Sequence, residues 1–357
     1  MQGLSGDLDT ENQPPLAIPF AHFVVGVAVL LLVGGGVLLV GFWLFAYNVA
    51  RTLPTSGLDI TEAHFAFALA SLLAATVLGW LLAADVACRL LGGLFEPSEL
   101  VLAHLTLTVF GFVFATIVGA LYQLAPMFTQ AEKTPVDAHL AHVEMVALPV
   151  GIGLLAAGRL FDATLVATVG GVLFLLGALA FAGFLGRQLW RARVEPGPLL
   201  RRYGLVTVSV VGWTVLTVPT WLRNPASVFA RFGDPMGTHL LFVGVITLTI
   251  LGTFYHVVPF IVWYHRYSDR LGYESVPMVD DLYDDRIERI EFWLLAVGLA
   301  GLWLGDLLSS TPATVVAGNL LGVAVLLFSA NMAIVVRRHR PETLREVVAT
   351  LAGRSSI

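Results

Sequence analysis

Two stretches of sixteen residues decide the fold, GFVFATIVGALYQLAP at residues 111–126 and GVITLTILGTFYHVVP at residues 244–259. Both follow the pattern G-x4-T-I-x-G-x2-Y-x3-P, 133 positions apart, and both lie inside long apolar runs. A match at six fixed positions, including a tyrosine and a proline, indicates an internal duplication. The matched residues are Gly111, Thr116, Ile117, Gly119, Tyr122 and Pro126 in the first copy and Gly244, Thr249, Ile250, Gly252, Tyr255 and Pro259 in the second.

The composition predicts a membrane protein. Hydrophobic residues make up 57% of the chain and charged residues 13%, against about 45–50% and about 25% in soluble proteins. Many apolar runs exceed the roughly 18 residues that indicate a membrane-spanning helix. We therefore expect an all-α, multi-pass protein of the cell membrane, with the lipid bilayer rather than nucleic acid as its partner. The single cysteine, Cys88, excludes an intramolecular disulfide and leaves His, Met or carboxylates as metal ligands.

Apolar runs between charged or Pro/Gly-rich breaks predict nine spans in one transmembrane domain, residues 18–337. They are approximately 18–46, 64–91, 99–126, 139–160, 164–190, 200–224, 236–263, 288–308 and 312–337. Sixteen of the 20 Lys and Arg residues fall at one side of these spans and four at the other. Because positive loops stay in the cytoplasm, we expect an external N-terminal tail (1–17), without the basic start of a signal peptide, and a cytoplasmic basic tail (338–357).

The offset of the two stretches predicts two parallel four-helix repeats, about 64–190 and 200–337, with span 1 added. Spans 2 to 5 then correspond to spans 6 to 9. In this interpretation the glycines of the pattern allow close helix contact, and Pro126 and Pro259 end or kink their helices. The whole pattern is explained by packing: Gly111, Gly119, Tyr122 and Pro126, with Gly244, Gly252, Tyr255 and Pro259.

Three histidines are candidate cofactor ligands. His22, His104 and His239 each lie near the start of a span that runs inward from the outer side, and ionisable side chains at membrane depth are functional candidates. Imidazoles on facing helices hold heme, copper or iron in helical bundles. However, His239 corresponds to Thr106 in the repeat. The duplication alone therefore does not direct the side chains of His104 and His239 towards one point. The alternative is that each histidine binds a neighbouring carbonyl or lies at the interface.

Other histidines belong to the cytoplasmic half. His139 and His142 share one helix face and precede Glu144, which makes them candidate metal ligands or proton carriers, with solvated interface residues as the alternative. His256 is a third candidate metal ligand; it follows Tyr255, where the first copy has Gln123. A polar side chain at this position in both copies indicates an internal hydrogen bond or the lining of a polar cavity. The loop at residues 264–287 is either a solvated connector or a docking surface.

The segments AHLTLTVFGFVFATIVGALYQLAPMF (103–128) and HLLFVGVITLTILGTFYHVVPFIVWYHRYSD (239–269) resemble the cytochrome oxidase subunit I-like membrane proteins, including small members related to nitric oxide response. The opening PPLAIPFAHF (14–23) also resembles the start of those small members. The resemblance covers residues 14 to 285. It implies a helical bundle around heme b with axial histidines near the outer surface, His104 and His239 being the matching positions.

The sequence departs from a complete terminal oxidase or nitric oxide reductase. Those enzymes use an adjacent His-His pair and an H-x-H pair, and this chain has neither. The hypothesis that follows is a heme- or metal-binding membrane protein in electron transfer or in the response to nitric oxide or oxygen. Its partner would be a membrane redox protein or a small electron carrier.

Two other classes of function stay open. A small-molecule or ion transporter agrees with parallel repeats that carry paired Gly and Pro positions. A non-catalytic membrane subunit would use the 264–287 loop as its docking site.

Overall fold

The computed structural model describes residues 24–339, so the predicted external tail, His22 and the basic tail from residue 340 lie outside the described part. Within residues 24–339, nine helices are long and apolar enough to cross a membrane, which confirms the predicted number. In chain order, α1 to α9 are Val24–Ala50, Ile60–Cys88, Pro97–Thr129, Pro135–Leu160, Thr164–Trp190, Pro198–Arg223, Leu240–Arg270, Asp285–Leu307 and Thr311–Arg338.

Each predicted span coincides with one helix, and the differences are at the ends. α2 begins at Ile60 because Asp59 and Glu62 form a capping box, in which each side chain accepts the other's backbone N–H. α4 begins at Pro135 for the same reason, with Thr134 and Asp137 as the capping pair. Polar caps extend these helices beyond the apolar runs. The predicted loop at 264–287 is shorter, because α7 continues to Arg270.

Neither proline of the duplicated pattern ends its helix. α3 continues past Pro126 to Thr129, and the α-helical part of α7 continues past Pro259 to Tyr267. Both helices instead contain a wide π-helical segment before the proline, Thr106–Phe114 in α3 and Leu240–Thr247 in α7. Gly111 and Gly244 lie inside these segments, and π-helical turns occur often at functional sites.

Glycines bring the backbones of consecutive helices together. A Cβ on Gly151 of α4 would overlap the backbone of Phe174 in α5 and lie 2.8 Å from the carbonyl oxygen of Gly170. In α8 a Cβ on Gly298 would lie 2.7 Å from the Leu321 side chain of α9. Small residues permit this close approach in membranes, so α4–α5 and α8–α9 are tightly packed hairpins.

An aromatic cluster joins the two halves of the bundle. Phe110 and Phe114 of α3 and Phe174 of α5 pack against Trp213 and Trp221 of α6, with ring centroids 4.9 to 6.3 Å apart where they touch. All five side chains are buried. Outside this core, apolar side chains such as Leu165 and Trp293 are exposed along the helices, as expected of surfaces that face lipid.

The bundle has two ends that are used below. The C-terminal face is the end where α2, α4, α6 and α8 begin and where α9 finishes. The opposite face is the end where α3, α5, α7 and α9 begin.

Candidate functional site

Ionisable side chains are buried inside the bundle near the C-terminal face, in two clusters. The first cluster is His64 of α2, Tyr122 of α3 and Glu144 of α4. The second cluster is Arg202 of α6, Tyr255 of α7, and Glu288 and Glu291 of α8. All seven side chains are buried. Charged groups are costly inside a membrane protein and mark functional positions by default, so these clusters form the candidate site.

The first cluster is a histidine–glutamate pair beside a tyrosine. The Nδ1–H of His64 donates to the carbonyl oxygen of Ile60 at 2.7 Å, and His64 Nε2 lies 2.8 Å from Glu144 Oε1. The Tyr122 ring centroid is 5.7 Å from the His64 ring. The Tyr122 hydroxyl lies beside the Glu144 carboxylate, yet both this hydroxyl and Glu144 Oε2 are buried without a hydrogen-bond partner. Such groups are costly unless water or a ligand meets them.

The second cluster is an arginine held by two carboxylates. Arg202 Nη1 donates to Glu288 Oε1 at 2.6 Å, and Arg202 Nη2 donates to Glu291 Oε2. The guanidinium lies 4.6 Å from the centre of the Tyr255 ring, where the face of the ring attracts a cation. Glu288 also accepts from Arg201 at 2.9 Å. Two arginines and two carboxylates therefore balance each other.

Similar glycine contacts lie beside the two clusters. A Cβ on Gly111 would lie 2.7 Å from Cβ of Ser71, and a Cβ on Gly244 would lie 2.6 Å from Cβ of Ser209. Two turns further, Gly119 packs against His64, just as Gly252 packs against Arg202. His64 and Ser71 have the same spacing as Arg202 and Ser209.

A second sequence match accompanies these contacts in α4 and α8. Glu144, Gly151 and Gly158 have the same spacing, E-x6-G-x6-G, as Glu291, Gly298 and Gly305. The glycines also have corresponding neighbours, because Gly158 meets Ala167 as Gly305 meets Thr314. Glu144 and Glu291 thus have the same position relative to the two glycines that follow each of them.

A pocket leads from the C-terminal face to the tyrosine of each cluster. The first, about 350 Å³, is lined by Tyr122 and Phe184 at its inner end and by Lys133, Asp137 and His142 nearer its mouth. The second, about 300 Å³, reaches Tyr255 between α3, α6, α7 and the loop before α8. Its lining includes Phe128, Glu195, His256, Asp280 and Tyr283. Each buried cluster can therefore be reached from the same end.

The loop before α8 is fixed to the second pocket by Asn331 of α9. The Asn331 side-chain oxygen accepts a hydrogen bond from the Asp284 N–H at 2.9 Å. Its side-chain nitrogen donates to the Asp284 carbonyl at 3.0 Å and to the Tyr255 hydroxyl at 3.3 Å. Asp284 caps α8, and the N–H groups of Ile287 and Arg286 lower the pKa of its carboxyl group. Burial raises the pKa of the Tyr283 hydroxyl, and Asp280 adds to this effect. Tyr283 thus stays neutral at the pocket wall.

Polar pairs also meet at the opposite face. Arg159 of α4 is fully buried and donates to Thr106 Oγ1 at 2.7 Å and to the carbonyls of Pro225, Ala230 and Arg231. At the corresponding positions of the second half, Asp306 Oδ2 lies 3.1 Å from His239 Nε2. Arg159 and Arg202 were counted among the sixteen and four Lys and Arg residues at the two sides of the spans, although both are buried in helices. Without these two residues the count is fifteen on one side and three on the other.

His104 and His239 have separate partners. His104 Nδ1–H donates to the Ala75 carbonyl of α2 at 2.8 Å, and its ring packs against Gly79, where a Cβ would lie 2.9 Å from Cε1. His239 instead contacts Asp306 of α8. The structure shows no contact between these two histidines, and His22 lies outside the described residues.

The candidate metal ligands are also dispersed. His139 and His142 are exposed on α4, while Glu144 turns inward to His64. His256 is half-buried, its ring 4.5 Å from that of Phe128, and it lines the second pocket, whereas Gln123 of the first copy is exposed. Among residues 24–339, no three His, Cys, Asp or Glu side chains are grouped to hold a metal ion.

Sequence reasoning missed most of the clusters. It ranked the histidines and passed over Arg159, Arg202, Glu288 and Glu291, although a charge inside an apolar span is the stronger signal. The shared E-x6-G-x6-G spacing would also have pointed to Glu144 and Glu291. His64 carries no such signal, because its contact with Glu144 depends on how α2 and α4 pack.

Comparison of the chain with protein-family models, with curated proteins and with solved structures finds no match.

Proposed function

We propose that the protein is a small-molecule or ion transporter of the cell membrane, built from two parallel four-helix repeats with α1 added. One observation carries the proposal: each half holds, in corresponding positions, a buried cation–carboxylate–tyrosine cluster at the inner end of a pocket. Transporters with internal repeats bind substrates and coupling ions through groups carried by the repeated helices. The matched glycine contacts at Ser71 and Ser209 support the duplication.

The proposed orientation has the C-terminal face in the cytoplasm. Fifteen Lys and Arg residues outside the buried positions belong to this side, which agrees with the positive-inside rule. Both pockets then open towards the cytoplasm, and Arg159 and Asp306 lie near the external side.

Uptake into vesicles tests the proposal. We expect purified protein in lipid vesicles to take up at least one member of a panel of radiolabelled Na⁺, Rb⁺, Cl⁻ and mixed amino acids faster than protein-free vesicles. Glu144→Gln and Glu291→Gln should reduce that uptake to the protein-free level, because each removes a charge from a cluster. His104→Ala and His239→Ala serve as matched controls and should retain it. Equal uptake by the cluster variants and the original protein would refute the proposal.

Heme binding is the second candidate, favoured by the geometry of His104. Because its Nδ1–H donates to Ala75, its Nε2 carries the free electron pair that a metal ligand needs. His239 fits less well, since its Nε2 already contacts Asp306. Bound heme b, or iron or copper at this position, would supply electron transfer or binding of nitric oxide or oxygen, and a membrane redox protein or small electron carrier would be the partner.

An absorption spectrum separates the two candidates. If His104 holds heme, protein produced with ample heme shows a Soret band, His104→Ala loses it and His239→Ala keeps most of it. Oxidised and reduced spectra report the ligands. Pure protein without a Soret band and without bound iron or copper would exclude this candidate while leaving the transporter proposal intact.

A further inference from the structure

The contact between His64 and Glu144 requires a proton. His64 Nδ1 faces the Ile60 carbonyl, which only accepts, so Nδ1 carries hydrogen. The 2.8 Å contact between Nε2 and Glu144 Oε1 then has two acceptors facing each other unless a proton lies between them. With that proton the pair is neutral as a whole, whether imidazolium–carboxylate or imidazole–carboxylic acid. Without it the pair carries one buried negative charge, which is costly in the interior of a membrane protein.

Tyr122 lies between this pair and the first pocket, which makes it the candidate route for the proton. Glu144 Oε2 and the Tyr122 hydroxyl are both buried and unpartnered, and Tyr122 lines the inner end of the first pocket. A water molecule at the end of the pocket would give the hydroxyl a partner, and the hydroxyl would in turn donate to Oε2. With that water in place, Tyr122 and Glu144 would complete a chain of proton donors and acceptors.

The charged groups around the His64–Glu144 pair are paired elsewhere or lie at the mouth of the first pocket. Asp137 at the pocket mouth is neutralised by Arg187 of α5 at 2.9 Å and by Arg191, which directly follows α5, at 3.5 Å. Lys133 and His142 line the same mouth. On α2 the nearby Glu62 is occupied in the cap with Asp59. From α5, the rings of Phe181 and Phe184 cover Tyr122, and the buried Gln188 follows one turn later.

The cation of the second cluster does not exchange a proton. It is Arg202, and a guanidinium keeps its charge at any physiological pH. The corresponding cation in the first cluster is an imidazole, which gains and loses a proton in this range. The two halves thus share a geometry while only the first cluster has a cation that can exchange a proton.

We infer that the His64–Glu144 pair is a proton-binding site that loads and unloads one proton through Tyr122 and the first pocket. Unloading starts from neutral His64 and protonated Glu144: the carboxyl group passes its proton from Oε2 to the Tyr122 oxygen while the Tyr122 hydroxyl passes its own proton to water, so Tyr122 stays neutral. The proton leaves to solvent at the pocket mouth, and neutral His64 and a Glu144 carboxylate remain. Resting on the proposed transport function, the inference makes the protein a proton-coupled transporter whose coupling site lies in the first half.

Infrared difference spectroscopy tests the site without any transport. We expect purified protein in nanodiscs, titrated from about pH 4 to about pH 9, to show a band change from a buried carboxyl group. Glu144→Gln should remove that change, and the matched variant Glu291→Gln in the second cluster should retain it. A titration that is unaltered by Glu144→Gln would overturn the inference.

Tyr122→Phe tests the route with little risk to the fold, because it keeps the packed ring and removes only an unpartnered hydroxyl. Exchange of the carboxyl proton with deuterium should slow by about 100-fold, the scale of a positioned proton carrier, with the equilibrium titration nearly unchanged. Exchange as fast as in the original protein would remove Tyr122 from the route. If vesicles show no uptake while the Glu144 titration is still observed, only the transport proposal is contradicted. The two proposals can therefore fail separately.

Discussion

Gly151→Leu is expected to prevent stable folding, and even Gly151→Ala should lower the free energy of unfolding by about 3 kcal/mol. A Cβ at this position overlaps the backbone of Phe174, and backbone atoms cannot move aside as a flexible side chain can. The α4–α5 hairpin must therefore separate, which also loses the contacts around Gly170. The fall in Tm of the purified protein in detergent measures the effect.

Gly153 provides the control, because it lies in the same helix and a Cβ there meets nothing within 4 Å. Gly153→Ala should leave Tm unchanged or raise it slightly, since alanine favours the helix by about 1 kcal/mol over glycine. Equal Tm values for Gly151→Ala and Gly153→Ala would show that α4 and α5 are not in backbone contact.

Arg202→Met should produce the second large effect, a loss of about 3–5 kcal/mol in the free energy of unfolding, because it leaves Glu291 buried without its cation and Glu288 with Arg201 alone. The side chain is fully buried and bridges Glu288 and Glu291. Thermal unfolding and the yield of monodisperse protein are the measurements.

Removing the charges together distinguishes an uncompensated charge from a simple loss of packing. The triple variant Arg202→Met, Glu288→Gln and Glu291→Gln should recover most of the stability, since a buried ionic network can be replaced at little net cost. If the triple variant is no more stable than Arg202→Met, the loss comes from the shape of the arginine side chain and not from its charge.

The sequence predicted the number of helices because apolar runs report directly on the membrane. Helix ends were less accurate where polar caps, such as Asp59 with Glu62, extend a helix into the loop. The duplicated pattern identified the glycines that approach Ser71 and Ser209, because a glycine in an apolar helix marks close contact. It could not show what His64 binds, since Glu144 is 80 positions away and only the packing of α2 against α4 joins them.

The tight hairpins restrict how the bundle can move. Backbone contact at Gly151 and Gly170 makes α4–α5 a stiff unit, and Gly298 and Gly305 have the same effect in α8–α9. We therefore expect any relative motion where each hairpin meets the preceding helix pair, α2–α3 or α6–α7. The His64–Glu144 contact crosses the first of these boundaries, and the contacts of Arg202 with Glu288 and Glu291 cross the second. Each ionic cluster thus joins one hairpin to its neighbouring helix pair.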